Sequence, residues 1–293
     1  MLGVMRQVRA KLEGRAGAGI MQPWRDLRKL FRKEPILPRG TSEVFRYAPI
    51  VLMGTTLVVA VVAPFVTVES GLDPVADLFA VVALLALGTV ALALAGLDTG
   101  TAFGGMGASR EMTIIALVEP TLLVAILALS LRVGSTNLPT IVSATLHDPG
   151  RVISPVSLLA VVALVVVIIA ETGRLPVDNP STHLELTMVH EAMVLEYAGP
   201  DLALVELASA MRLTVFLGLL TTLFAPWGIA TTATPAALAI GLSAFAAKIT
   251  VLGVLLAAGE VFMAKLRLFR VPELLAGSFL LSLLAVAASF FLA

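Results

Sequence analysis

Apolar residues run along this chain in long unbroken blocks. They do not alternate with polar residues, and they do not form the narrow stripe of a helix with one wet face. Seven blocks stand out: Tyr47–Phe65, Val75–Ala95, Thr113–Leu131, Val156–Ala170, Leu207–Trp227, Pro235–Ala258 and Leu274–Ala293, the fourth extending upstream towards Ile153. A hydrocarbon core of about 30 Å is crossed by roughly 20 residues of helix. Backbone polar groups in lipid must pair internally, so each block predicts a transmembrane helix. Their continuity argues against a β-barrel, whose strands alternate. The expected fold is an all-α polytopic bundle of about seven spans. It forms one membrane domain over residues 1–293, with 1–46 a basic cytoplasmic and interfacial segment and 47–293 the bundle. No repeat of 20–50 residues and no long polar linker interrupts it.

Composition sharpens this picture. Only 14% of residues are charged and 58% are hydrophobic, against roughly 25% charged in soluble domains. With no cysteine, the chain cannot hold an iron–sulfur cluster on its own thiolates or form a disulfide. Three histidines are too scattered to suggest haem, and a net charge of zero does not suggest nucleic acid. The N-terminus is basic without the apolar run of a signal peptide.

The loops divide sharply by charge. One side holds the N-terminal stretch, Gly96–Met112, Glu171–Glu206 with Arg212, and Glu260–Pro272; it carries 17 Lys and Arg residues against 2, Arg132 and Arg151, on the other. This asymmetry places the first side, and the N-terminus, in the cytoplasm. Within that N-terminal stretch, Pro23–Lys33 sets Trp24, Leu27, Leu30 and Phe31 at helical spacing opposite Arg25, Arg28, Lys29 and Arg32. An interfacial helix is expected there, with Pro23 in its first turn. It serves either as a positive-inside anchor or in docking.

Candidate chemistry lies in three places. Gly96–Glu119 reads GLDTGTAFGGMGASREMTIIALVE. Its glycines predict a tight cytoplasmic loop. Gly105 and Gly107 lack the strand and third glycine of a dinucleotide fingerprint, so nucleotide binding is rejected. Arg110 and Glu111 are expected where the span begins, and Glu119 nearly two turns inside it, where a carboxylate usually faces protein or water.

Glu171–Tyr197 reads ETGRLPVDNPSTHLELTMVHEAMVLEY. Glu171 and Arg174 are three residues apart and can share a face. Pro176 and Pro180 break the helix, and Thr182 with Glu185 fits a capping box for a new one. Glu185, Glu191, Glu196 and Glu206 then lead into the next span as an acidic loop. Crowded carboxylates beside a bilayer can relay protons, because each raises the pKa of its neighbours. A solvated acidic loop is the alternative, at least as apt for Glu191. His190-Glu191 begins a zinc-protease motif, but Val194 stands where the second histidine must be. Metal hydrolysis is rejected, and His183 and His190 are expected to make ordinary hydrogen bonds. Lys248 lies within a span, twelve residues from Glu260, about 18 Å along a helix, so a partner on another helix is expected.

AGLDTGTAFGGMGASRE, AETGRLPVDNPSTHLELTMVHEAMVLEY and EVFMAKLRLFRVP together resemble the membrane subunit of energy-converting nickel–iron hydrogenases of the formate hydrogenlyase and hydrogenase-4 type, over nearly the whole chain. The chain is similar, more distantly, to the complex I subunit beneath the quinone-reducing arm. That subunit's motifs are matched at Arg110 and Glu119, at Glu171, Thr172, Arg174, Pro176 and Asp178, and at Glu185, Glu196-Tyr197 and Glu206. Two acidic positions of that loop are Ser181 and His183 here, and the stretch from Glu185 to Glu196 is about three residues longer. These changes imply a chain that does not bind quinone. The quinone-reactive role is the alternative; a stand-alone transporter would be expected to show inverted repeats. The family carries a further span before the basic stretch that opens this chain, so either the start lies upstream of Met1 or this protein works without that helix.

The resemblance implies an ion path through Glu119, Glu171, Glu185, Glu206 and Lys248. It implies arm docking through Asp98, Arg110, Glu111, Arg174, Asp178 and Glu196. The implied partners are peripheral nickel–iron hydrogenase large and small subunits, an iron–sulfur subunit and antiporter-like membrane subunits. The nickel–iron and iron–sulfur centres would sit in those partners, with this chain, which binds none of them, multi-pass in a prokaryotic inner membrane.

Overall fold

A computed structural model of the chain describes residues 1–148, 150, 152–178 and 188–291. Eleven α-helices occur among them: α1 Leu2–Leu12, α2 Gln22–Leu30, α3 Glu43–Val62, α4 Leu78–Asp98, α5 Ala102–Leu131, α6 Leu138–His147, α7 Pro155–Glu171, α8 His190–Val194, α9 Gly199–Phe224, α10 Pro235–Phe262 and α11 Val271–Phe291. Six of these are long and apolar enough to cross a membrane, and α7 is a shorter apolar helix. Each of the seven expected blocks therefore has a helix at its centre. The helix starts follow local chemistry. Ser42, Asp77, Thr101, Asn137, Ser154 and Thr234 each cap a helix with the side-chain oxygen, which satisfies amide groups that the first turn leaves unpaired.

Helix α5 forms the centre. It packs on α4, α7, α8 and α11, while α3 joins α4 to α9. The buried core is aliphatic, with Val118, Leu122, Leu164, Val167 and Phe216 at its middle. Helix α10 packs mainly on α1 and α9 and keeps most of its surface exposed. The amphipathic segment forms α2, with Pro23 in its first turn and no buried residue; Trp24 and Phe31 are exposed, as an interfacial helix requires. Helices α1 and α6 were not expected.

Several boundaries depart from the sequence reading. Helix α5 begins at Ala102, not near Thr113. Its 30 residues measure about 45 Å, longer than the hydrocarbon core, so its first turns project beyond it. The loop before it shrinks to the residues around Gly100, whose φ of +64° suits glycine. Gly96, Gly104 and Gly107 of the motif lie inside helices and serve close packing, whereas a Cβ on Gly105 would meet nothing within 4 Å. A Cβ on Gly107 would come within 2.8 Å of Ala192 Cβ and 3.0 Å of the Val189 carbonyl oxygen, so its absence lets α8 lie against α5. Helix α9 begins at Gly199, which puts Glu206 about two turns inside it and Arg212 deeper still. Arg212 therefore lies within a helix long and apolar enough to cross a membrane, and the basic excess of the loops stands without it.

Candidate functional site

Where α5, α7, α8 and α9 meet, charged side chains collect beneath the Glu171–Tyr197 segment. Glu171, the last residue of α7, accepts a 2.7 Å hydrogen bond from Arg212 Nη2 on α9, and the two side chains are 3% and 7% exposed. The Arg212 guanidinium also lies over the Phe216 ring, 5.8 Å from its centroid, a cation–π arrangement. Gly88 on α4 lets α3 close in beside it, because a Cβ there would lie 2.8 Å from Thr55 Oγ1 and 3.1 Å from Leu52 Cδ1. Arg174, expected to meet Glu171, turns away to Glu260 of α10 at 3.0 Å. The chain leaves the helix after Glu171, with Gly173 at a φ of +56°, so the three-residue spacing no longer places the two on one face.

Glu111 is buried on α5 and lies in the electrostatic field of Glu171, Arg212 and Asp178. With Glu171, Asp178, Gly173 and His190 it lines a polar pocket of about 10 Å³, close to the least space that holds one water. Glu119 is eight residues further along α5, about 12 Å deeper, and senses Glu171 and Arg212. Among the described residues, the buried side-chain atoms without a hydrogen-bond partner are Glu119 Oε1 and Arg212 Nε. Both belong to this cluster.

The loop edge of the bundle is held by a second set of contacts. Asp178 accepts from Lys265 Nζ at 3.2 Å and from the Val189 amide at 3.3 Å. Arg110 Nη1 donates to the Met188 carbonyl at 3.0 Å, and the Leu266 amide to the Pro176 carbonyl at 2.9 Å. The loop after α7, the start of α8 and the turn after α10 are thus one stitched surface. His190, within it, is 3.3 Å from Ser209 Oγ through Nε2. Burial lowers its pKa below the ordinary 6.5 and Arg212 adds to this, while Asp178 opposes both. Tyr197 stacks on Phe45 with ring centroids 4.1 Å apart and donates to the Phe45 carbonyl at 2.8 Å. Burial, with Asp201 and Asp98 nearby, raises its pKa above the ordinary 10.0.

Other expected site residues lie apart from the cluster. Asp98 caps α3, accepting from the Ser42 amide at 2.7 Å and the Ser42 hydroxyl at 2.9 Å. Glu196 is exposed, just after α8. Glu206 is exposed on α9, and the charges acting on it are Arg6 of α1 and Asp26 of α2. Six residues of helix set it about 120° from Arg212, so it does not join Glu119 and Glu171. Lys248 donates to the Ala225 carbonyl at the end of α9, 2.6 Å away, and Glu260 takes arginines instead. Glu185, Ser181, His183 and the expected Thr182–Glu185 capping box lie outside the described residues. Arg212 is a site residue that the sequence reading missed, having counted it only among the basic residues of the adjacent loop; its place inside an apolar run was the available signal.

The family model described as NADH dehydrogenase matches residues 1–291. The chain belongs to that family. It is 34% identical to formate hydrogenlyase subunit 4 of Escherichia coli (strain K12), covering 93% of this chain and 87% of that protein. It is 36% identical to hydrogenase-4 component C of the same organism, covering 90% and 82%. NADH-quinone oxidoreductase subunit 8 of Rhodothermus marinus is 28% identical over 71% of this chain and 61% of its own. A solved structure of an archaeal respiratory membrane complex, the membrane-bound sulfane sulfur reductase, contains a chain with the same fold: TM-score 0.81 at 20% identity, covering 98% of this chain and 93% of that one. The relatives are subunits of multisubunit membrane complexes, and this chain shares their multi-pass helical architecture.

Proposed function

We propose that this chain anchors a peripheral nickel–iron hydrogenase arm to a prokaryotic inner membrane and couples its electron transfer to H⁺ or Na⁺ movement. The arm's large and small subunits and an iron–sulfur subunit would dock on the stitched loops, with the redox centres held in those partners. Antiporter-like subunits would pack alongside in the bilayer, and the N-terminus would be cytoplasmic, on the side rich in Lys and Arg. One observation carries this reading: a carboxylate series, Asp178, Glu111, Glu171 and the partly buried Glu119, leads from the docking loops into the bundle around Arg212.

Glu171 and Asp178 act electrostatically on Glu111, and Glu171 on Glu119, so a charge moved at one carboxylate is felt at the next. A shift of the loop that holds Asp178 would change the field at Glu111 and redistribute protons towards Glu119. A water between Glu119 Oε1 and Arg212 Nε would join the path to mid-membrane. Glu119 is partly buried, and Met112, Ala116 and Pro120 on the same side of α5 are exposed. A carboxylate at that depth is costly against lipid, which favours a neighbouring membrane subunit on this face.

The test uses Glu111→Gln in the assembled complex. Hydrogen evolution with an artificial donor should persist while ion uptake into sealed vesicles falls. Uptake equal to the parent's at equal turnover would overturn the reading.

A further inference from the structure

Away from this cluster, an apolar crevice of about 280 Å³ opens between α7, α9 and α10. Its walls include Val165 and Ile168 of α7, Leu220 of α9, and Leu252 and Leu256 of α10, with Glu260 at one end. The crevice exists because α10 stands off from the bundle, held mainly by α1 and α9. It is open at the side, for Val165 is 38% and Leu255 60% exposed. Along α10 it runs from Leu252 to Met263, about 16 Å of helix, close to the depth of one leaflet of a 30 Å core.

The polar end is charged. Glu260 is 3.0 Å from Arg174 and 3.7 Å from Arg9 of α1. Arg9 also pairs with Glu13 at 2.9 Å, and Glu13 with Arg15. Three guanidinium groups against two carboxylates leave this group with one net positive charge. Lys11, Arg267 and Arg270 are exposed on the flanking segments α1 and 263–270. An aliphatic slot one leaflet deep therefore ends in a cationic cluster at the basic membrane face.

We propose that this crevice binds an anionic phospholipid, one acyl chain lying between α7, α9 and α10 and the phosphate resting at the Arg9–Arg174 end. A guanidinium fork suits phosphate oxygens, and basic pockets between transmembrane helices on the cytoplasmic side favour anionic headgroups. The acyl chain fills space that aliphatic side chains leave between separated helices. The bound lipid thus joins α1 and α10 to the bundle just beside Arg174, whose loop continues to Asp178.

The proposal is independent of the coupling role and is tested by lipid retention. The full chain, extracted from membranes and exchanged into nanodiscs of equal phosphatidylglycerol and phosphatidylcholine, is released and weighed by native mass spectrometry. One phosphatidylglycerol should remain bound per chain. Arg9→Gln should keep a lipid but lower the preference for phosphatidylglycerol over phosphatidylcholine about fivefold. Leu256→Trp should fill the crevice and abolish retention at an unchanged melting temperature; Leu252→Phe serves in its place if that variant does not fold. Equal retention of both lipids by the parent, retention undiminished by filling the crevice, or recovery of a quinone instead would each overturn it. So would a structure of the complex with a partner helix in the crevice.

Discussion

Arg212 Nη2 donates to Glu171 Oε2 across 2.7 Å, tying α9 to α7 with both side chains less than a tenth exposed. Removing one member of a buried pair leaves the other charge uncompensated, which costs about 3–5 kcal/mol. Arg212→Met should therefore lower the melting temperature sharply, and Arg212→Met with Glu171→Gln should recover much of the loss. A double-mutant cycle with Arg212→Met, Glu171→Gln and the double variant measures this; a double loss equal to the sum of the two single losses would show that the pair is not coupled.

Glu119→Gln keeps the shape and hydrogen-bonding groups of the side chain but removes its titratable charge. The complex should assemble and evolve hydrogen from an artificial donor, with ion translocation reduced. Glu206→Gln should translocate like the parent, because Glu206 faces Arg6 and Asp26 instead of the cluster. Vesicle assays of both variants compare the two faces of the bundle, and an effect of Glu206→Gln equal to that of Glu119→Gln would contradict the assignment.

Burial keeps the His190 pKa below the ordinary 6.5. The unfolded chain then binds a proton that the folded chain does not, so stability falls as pH drops from 6.5 towards the lower native value. Above 6.5 this contribution is flat. His190→Gln should remove that part of the acid loss, as read by melting temperature across the window; an identical profile in both proteins would mean that His190 has no part in it.

Gly107→Ala should push α8 from α5, since the new Cβ would meet Ala192 Cβ at 2.8 Å and a backbone oxygen at 3.0 Å. Overpacking of this kind costs about 1–3 kcal/mol. The expected result is weaker docking of the peripheral arm, measured by co-purification. Gly105→Ala meets nothing within 4 Å and should dock normally.

The native chain has no cysteine, so single introduced thiols report topology cleanly. Cysteine at exposed Ser70 should label from the periplasm, and cysteine at exposed Phe269 should not. Labelling of both from one side would reverse or break the proposed orientation.

The helical bundle was legible because lipid leaves the backbone no alternative: an apolar block long enough to span must satisfy its own hydrogen bonds. The blocks from Tyr47 to Ala293, and the surface helix carrying Trp24, follow from residue order alone. Helix ends were less legible. Ala102–Met112 and Gly199–Glu206 look like loops on hydropathy, yet helix continues through them because protein contacts, such as α8 on Gly107, replace lipid there. The carboxylates could be named from the sequence, but their partners could not. Glu171 and Arg174 are neighbours along the chain, and tertiary packing gives them to Arg212 and Glu260 instead. Ion pairing acts over a few ångströms through space, and residues 41 and 86 positions apart meet only when α7, α9 and α10 have packed. Hydropathy acts along each segment, so it can be read in one dimension; the electrostatic cluster exists only in three.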